Sequence, residues 1–310
     1  MTLRACIDIG GTKVSVSLND PVRGLELLAH QYAPTARTGD NDALARQVVT
    51  MVDAACAQLG VEPMVVQDAG VAAPGPFVLG PGGIELATPN ICGALAGGDA
   101  RLPNDWRTAT LEGPLRRRFA RVRVENDGIA ALEAERRWGA LQDIDHCAYV
   151  TWSTGVGCGL CVGGVVLRGK QGNAGHLGHT FVSDDTQAVC GCGNVGDLES
   201  LVGGNSIHKR FGESALSLMA RAVAGDAKAL AVVDELCRVM GRALYDITAL
   251  LDLQRISLGG SVFLHNQELL LPRLVDQLRG RLPAMTDGCE LVVAGLGVRV
   301  GDYAALALVG

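Results

Sequence analysis

LRACIDIGGTKVSVSL, residues 3–18, reads as strand, turn, strand. Its turn, DIGGTK (8–13), holds an acid, two glycines, a hydroxyl and a lysine between two apolar runs. A glycine turn opening a helix after a strand would be a dinucleotide-binding fingerprint; one that leads into a second strand is not. The P-loop pattern G-x-x-x-x-G-K-[ST] is absent as well. Together these exclude nicotinamide-dependent dehydrogenases and P-loop kinases. What remains is still a phosphate-binding turn. Glycine lets backbone N–H groups approach phosphate oxygens closely, and Thr12 and Lys13 add side-chain donors.

The arrangement recurs. HCAYVTW (146–152) reads as a strand, STGVGCG (153–159) as a glycine turn with Ser153 and Thr154, and LCVGGVVL (160–167) as a strand. One glycine-rich hairpin is weak evidence of anything but a hairpin. Two, at matching places in two halves of similar plan, predict a cleft that holds one polyphosphate from both sides. The donors would come from Gly10, Gly11, Thr12 and Lys13 on one side and Thr154, Gly155 and Gly157 on the other.

Between the hairpins, DALARQVVTMVDAACAQLG (42–60) has helical periodicity and stops at a glycine. QDAGVAAPGPF (67–77) predicts a short strand and a Pro/Gly turn, GPLRRRFA (113–120) a helix, and RVRVEN (121–126) a strand. After the second hairpin come helices over 212–225 and 227–252 and a strand in RISLGG (255–260). The halves divide near residue 120, giving an N-terminal α/β domain over 1–120 and a C-terminal α/β domain over 121–310. The last stretch, GDYAALALVG (301–310), predicts a helix that packs back on the N-terminal domain.

Composition agrees. The chain is 48% hydrophobic and 19% charged with 41 glycines in 310 residues, which suits a tightly turned α/β enzyme and not a disordered chain. The net charge of −6 weighs against nucleic acid, and the run Arg116, Arg117, Arg118, Arg121, Arg123 reads as a solvated helix end. No apolar run is long enough to span a membrane, and the N-terminus does not read as a signal peptide, so a cytoplasmic protein is expected. In that compartment the ten cysteines are reduced thiols. Cys6, Cys56, Cys147, Cys161 and Cys237 lie in apolar patterns; only Cys190 and Cys192 have ligand-like spacing.

Two further stretches carry chemistry. In RVRVENDGIAALEAERRWGAL, Asn126 and Asp127 stand where a strand runs into a helix. Asp127 can be a helix cap there, or the general base of a transfer reaction. Glu125 alternates to the other side of the strand. In AGHLGHTFVSDDTQAVCGCGNVGDLES (174–200), His176, His179, Cys190, Cys192 and Asp197 are close enough in sequence for a metal site. A glycine loop held without metal is the alternative there. His176 and His179 are three apart with no glutamate between them, so this is not the metalloprotease pattern.

IDIGGTK, END, STGVGCG, GHLGH, CGCGNVGDLE and SLGGSV occur in the order found in the ROK family of sugar kinases and sugar-responsive repressors, and the resemblance extends over essentially the whole chain. It implies an actin/hexokinase-like (ribonuclease H-like) fold, with two α/β domains closing on a sugar and ATP. It implies Asp127 as the catalytic base, Asn126 and Asn90 as sugar contacts, and Asp8 facing magnesium and the phosphates, with Gly260 on the nucleotide side. It implies a sugar wall of His176, His179 and Glu199, and a homodimer. The family's structural zinc site has one histidine and three cysteines; here His179, Cys190 and Cys192 match, and Asp197 stands at the third cysteine's place. Carboxylate is a known zinc ligand, though harder than thiolate. "GHLGHT" departs from the commoner Gly-Glu-x-Gly-His and is most similar to N-acetylmannosamine kinases, with glucokinase and fructokinase as alternatives. The expected activity is ATP-dependent phosphorylation of a hexose or N-acetylhexosamine at O6. The family's repressors carry a helix-turn-helix before the kinase part, for which residues 1–6 leave no room. A non-catalytic sugar sensor would have less use for Asp127, Lys13 and both glycine turns.

Overall fold

The computed structural model describes residues 2–95 and 102–310. These form two compact units, Met1–Ala134 with Arg168–Asn173 and Arg299–Gly310, and Glu135–Leu167 with Ala174–Val298.

The first unit is built on the opening hairpin. Its strands are β1 (Leu3–Ile9) and β2 (Lys13–Asn19), paired antiparallel with Ile9 opposite Val14. β3 (Leu27–Pro34) continues the meander. Helix α1 (Ala43–Leu59) ends at Gly60, whose left-handed backbone closes the last turn on the carbonyls of Ala57 and Cys56. Leu44, Val48, Met51, Val52, Ala55 and Cys56 make its buried stripe, packed on β2 and β3. β4 (Val66–Ala73) then adds to β1 in parallel. The short strands β5 (Phe77–Gly80), β6 (Gly83–Leu86) and β7 (Ala109–Thr110) form a separate three-stranded sheet, followed by helix α2 (Glu112–Arg116). β8 (Arg121–Asn126) pairs in parallel with β4, completing the order β3-β2-β1-β4-β8. That pairing carries the first unit past residue 120: the division falls after Ala134, within helix α3 (Asp127–Trp138).

The second unit repeats the plan. β9 (Cys147–Trp152) and β10 (Val156–Val162) form its hairpin. The segment read as one strand over 160–167 is itself a hairpin, because Gly163 and Gly164 take positive φ (58° and 76°) and reverse the chain into β11 (Val165–Val166). Four helices follow, α4 (Leu198–Val202), α5 (Gly204–Phe211), α6 (Ala215–Val223) and α7 (Ala227–Leu251). Next come β12 (Arg255–Gly259), α8 (Ser261–Leu264), α9 (Gln267–Leu278), α10 (Pro283–Thr286) and β13 (Glu290–Val293). The sheet order is β11-β10-β9-β12-β13, with β12 parallel to both β9 and β13.

In α7, Val233, Leu236, Cys237, Met240, Leu244 and Ile247 make the buried stripe. Gly241 lets α9 approach so closely that a Cβ there would lie 2.3 Å from Gln277 Cβ. The fully buried Glu135 is satisfied by Ser257 Oγ and the amides of Ala140, Gly295 and Leu296. Helix α11 (Val300–Ala307) belongs to the first unit and packs on β1 and β4. Gly70 of β4 makes room for it, since a Cβ there would meet the Ala305 carbonyl at 2.1 Å.

Of the arginine run, Arg116 and Arg117 are the solvated end of α2, as read, but Arg118, Arg121 and Arg123 are engaged by partners. Arg118 is bound to the Pro63 and Val66 carbonyls and to Asp53. Arg121 forks onto Asp68 at 2.6 and 2.5 Å. Arg123 joins Arg168 on Glu125 and Glu133. The partners of Arg118 and Arg121 lie more than fifty positions away, whereas Arg123 takes Glu125 of its own strand and Glu133 of α3.

Candidate active site

Because β1, β4 and β8 are parallel, their carboxyl ends share one edge. Asp8 aligns with Ala72, and Ala72 with Glu125. In open α/β sheets ligands bind at such an edge. Asp127 follows β8 there. It is exposed, whereas Val124, Glu125 and Asn126 before it are buried. The Gly128 amide donates to Asn126 Oδ1 at 3.0 Å, which places Asn126 as the cap of α3, and to Oδ1 of Asp127, the first residue of that helix, at 2.8 Å. Glu125 is 5% exposed and locked between Arg123 and Arg168, which leaves it no part as a base.

Asp8 bears the electrostatic cost of this edge. Burial first, and then the negative charge of Asp127, push its pKa up to about 7. Lys13 works against that rise, and Asp302 of α11 adds to it. A carboxylate so placed favours a cation beside it. Lys13 Nζ also lies 4.8 Å over the ring of Tyr32, so this lysine is steadied by β3. The first glycine turn is held by Gly10 N to Lys13 O (2.8 Å), Thr35 Oγ1 to Gly10 O (2.7 Å) and Thr35 N to Thr12 O (3.1 Å). Gly11 is pressed against Asn90, where a Cβ would lie 2.9 Å from Asn90 Cβ.

In the second unit the parallel pair β9 and β12 aligns Thr151 with Gly259. Turn Ser153–Gly155 and Gly260–Ser261 thereby become neighbours, with Ser153 Oγ 3.1 Å from Ser261 Oγ. Gly260 has φ 86°, and a Cβ there would lie 2.4 Å from the Trp152 carbonyl oxygen.

His179, Cys190, Cys192 and Asp197 converge with all ligand atoms within 4.8 Å of one another. His179 Nδ1 lies 3.1 Å from Asp197 Oδ2, 3.5 Å from Cys192 Sγ and 3.9 Å from Cys190 Sγ. Cys192 Sγ is 3.7 Å from Asp197 Oδ2. Ligands on a tetrahedral zinc ion are about 3.3–3.8 Å apart, the edge that follows from its bond lengths. The four residues therefore fit zinc in number, chemistry and spacing. Asp197 is fully buried; Oδ1 accepts the Ser200 amide at 2.8 Å as the cap of α4, which turns Oδ2 to the cluster. Its hydrogen bond to Asp197 raises His179's pKa, while burial lowers that of His176. Burial also pushes the Cys190 thiol up. The His176 and His179 rings stack with centroids 5.8 Å apart, and His176 Nε2 is buried without a protein partner among the described residues.

This order of sites along two repeated sheets has relatives. The sequence matches the ROK family over residues 4–309.

The chain belongs to the ROK family.

An N-acetylmannosamine kinase of Salmonella typhi is 32% identical over 83% of this chain and 82% of its own. A glucokinase of Aeropyrum pernix is 29% identical over 97% and 95%. The crystal structure of a ROK glucokinase from Streptomyces griseus, in complex with glucose and AMPPNP, superposes with a TM-score of 0.68 at 26% identity, covering 98% of this chain and 97% of that one. The two mixed sheets are thus the sheets of the actin/hexokinase-like fold.

The structure of this ROK protein brings Asp8, Gly10, Gly11, Thr12, Lys13, Asn90, Asn126 and Asp127 into its first unit. It brings Thr154, Gly155, Gly157, His176, His179, Glu199 and Gly260 into its second, with the four cluster residues. Sequence reasoning missed Arg37, which donates to the Gly11 carbonyl, keeps a buried Nε without a partner among the described residues, and follows β3 in no motif. It missed Asp302, which only tertiary packing brings near Asp8. It also missed Gly203–Gly204, whose paired glycines in LVGGNS were a usable signal; Gly204 N donates to Ser153 O at 2.9 Å.

Proposed function

We propose that this chain is an ATP- and magnesium-dependent kinase that phosphorylates the 6-hydroxyl of a hexose or N-acetylhexosamine. The observation that carries the reading is Asp127, an exposed carboxylate at the carboxyl end of β8, on the edge that also holds Asp8 and the first glycine turn. Phosphoryl transfer needs the attacking hydroxyl oriented and its proton accepted, with charge stabilised on the moving group. Asp127 accepts the proton of the sugar O6, and the Gly128 amide on Oδ1 fixes the carboxylate's direction. Asn126 and Asn90 bind hydroxyls. The amides of the two glycine turns, with Thr12, Lys13 and Thr154, take phosphate oxygens. Magnesium, when bound, would neutralise phosphate charge near Asp8, whose pKa is raised by burial first and by the negative charge of Asp127 next.

His176, His179 and Glu199 form the sugar wall in this reading. The named activities of the relatives divide between N-acetylmannosamine and glucose. N-acetylmannosamine leads because "GHLGHT" is most similar to the motif of N-acetylmannosamine kinases; His176, which offers a donor where a glutamate offers only acceptors, alters recognition near C1 and C2. His179, Cys190, Cys192 and Asp197 would hold zinc as a brace for the loop that ends at α4, outside the chemistry. The working assembly is a homodimer, which sedimentation tests. Among the described residues no helix is long and apolar enough to cross a membrane.

A coupled assay with ATP and Mg²⁺ across N-acetylmannosamine, glucose, fructose and N-acetylglucosamine tests the proposal. Turnover highest with N-acetylmannosamine supports it in full. Turnover highest with glucose keeps the kinase and moves the substrate; no turnover with any of the four rejects it.

A further inference from the structure

Glu199 stands in the first turn of α4, and its side chain does more than face a sugar. Its Oε2 accepts the Val156 amide at 2.9 Å, at the point where the second glycine turn enters β10. Gly155 comes so near that a Cβ would lie 2.3 Å from the same oxygen. The α4–α5 junction grips the other side of the turn. Gly204 N donates to Ser153 O at 2.9 Å and Asn205 N to Thr154 O at 3.1 Å. Glu199's own carbonyl is fixed by Gly203 N (2.9 Å) and Ser206 Oγ (2.7 Å).

The Ser153 amide is spent inside the turn on Gly155 O at 2.9 Å, and the Val156 amide is spent on Glu199. Among the described residues the amides of Thr154 and Gly155 donate to no protein acceptor. Those two amides are what the turn can present to a ligand. A glycine turn samples many conformations unless held, and donors bind anions well only when they are oriented in advance.

We propose that Glu199 is a positioning residue for this turn: by accepting the Val156 amide it sets the direction of the Thr154 and Gly155 amides toward nucleotide phosphate. The proposal rests on the reading that this turn takes the nucleotide. It separates Glu199 from a residue that only contacts sugar, because its effect is present with no sugar bound.

The test is the binding of Mg·ADP by calorimetry, without sugar, to the wild type, Glu199→Ala, Glu199→Asp and Glu199→Gln. Leaving the Val156 amide without an acceptor should weaken binding by on the order of tenfold in the Ala variant. The Asp variant keeps the charge but is one methylene shorter, and should weaken it similarly. Gln keeps an oxygen at the same reach and should stay within about threefold of wild type. Val156 amide exchange should quicken in the Ala and Asp variants only. Should the Ala variant fail to fold, the Asp and Gln pair carries the comparison. Glu199→Asp binding Mg·ADP as wild type does overturns the proposal. Failure of the wild type to bind Mg·ADP, or quickened Val156 exchange in the Asp variant with Mg·ADP binding unchanged, removes the reading beneath it and the proposal with it.

Discussion

Asp127 and Asp8 show what single residues contribute at this edge. Asp127→Asn keeps the size and the Oδ1 oxygen, so folding and sugar binding should persist. kcat should drop by on the order of 10² or more, because only proton acceptance is lost. Steady-state kinetics with a sugar-binding measurement checks both halves. Asp8 gives a pH signature. Its folded pKa of about 7 lies above the unfolded value of 3.8, so the neutral form is the stable one. Its favourable contribution is complete below pH 3.8 and is lost as pH rises through about 7. Asp8→Asn has no such loss. Without ligand, the variant's Tm should draw ahead of wild type across that window by several degrees and run parallel above it. A Tm difference independent of pH would show that Asp8 is not raised. The motif itself made both residues legible. The causes of Asp8's pKa were legible only in part: burial comes first and Asp127 next, while the lesser Asp302 is nearly three hundred positions away and only the packing of α11 on β1 brings it close.

At the scale of elements, the loop ending at α4 depends on Asp197 twice, as a cap through Oδ1 and as a cluster member through Oδ2. Asp197→Cys should therefore have opposite effects with and without metal. In metal-free protein it removes a helix cap and should cost about 1 kcal/mol. With zinc present it supplies a softer ligand and should bind the ion more tightly, raising Tm. Thermal melts with and without chelator test this; equal melts in both conditions would mean that the cluster holds no zinc. The helix pair α7 and α9 offers a purely structural counterpart. Gly241→Ala would place a Cβ 2.3 Å from Gln277 Cβ and should destabilise by about 1–3 kcal/mol, read from chemical denaturation. The helix α7 and both hairpins were readable from periodicity, since a 25-residue stripe or an alternating strand leaves a strong local pattern. The short α4 and α5 were missed although Asp197 is a local helix cap and Gly203–Gly204 a visible pair; only the contact of Gly204 with Ser153 that fixes the start of α5 is a tertiary fact.

For the whole molecule, two repeats of one sheet plan, each with a glycine turn at its carboxyl edge, were visible in the sequence as two hairpins of matching layout. The division after Ala134 was not, because a strand read locally does not announce its sheet: RVRVEN pairs with β4, and nothing within it says so. The proposed activity belongs to this scale: transfer of the γ-phosphoryl of ATP to O6 of a sugar with Asp127 as base. The direct measurement is ³¹P NMR of wild type and Asp127→Asn, each incubated with ATP, Mg²⁺ and N-acetylmannosamine. The account predicts a sugar 6-phosphate signal growing with ADP in the wild type, slowed by on the order of 10² or more in the variant. ADP with inorganic phosphate alone, or an equal rate of sugar phosphate from both proteins, would contradict it.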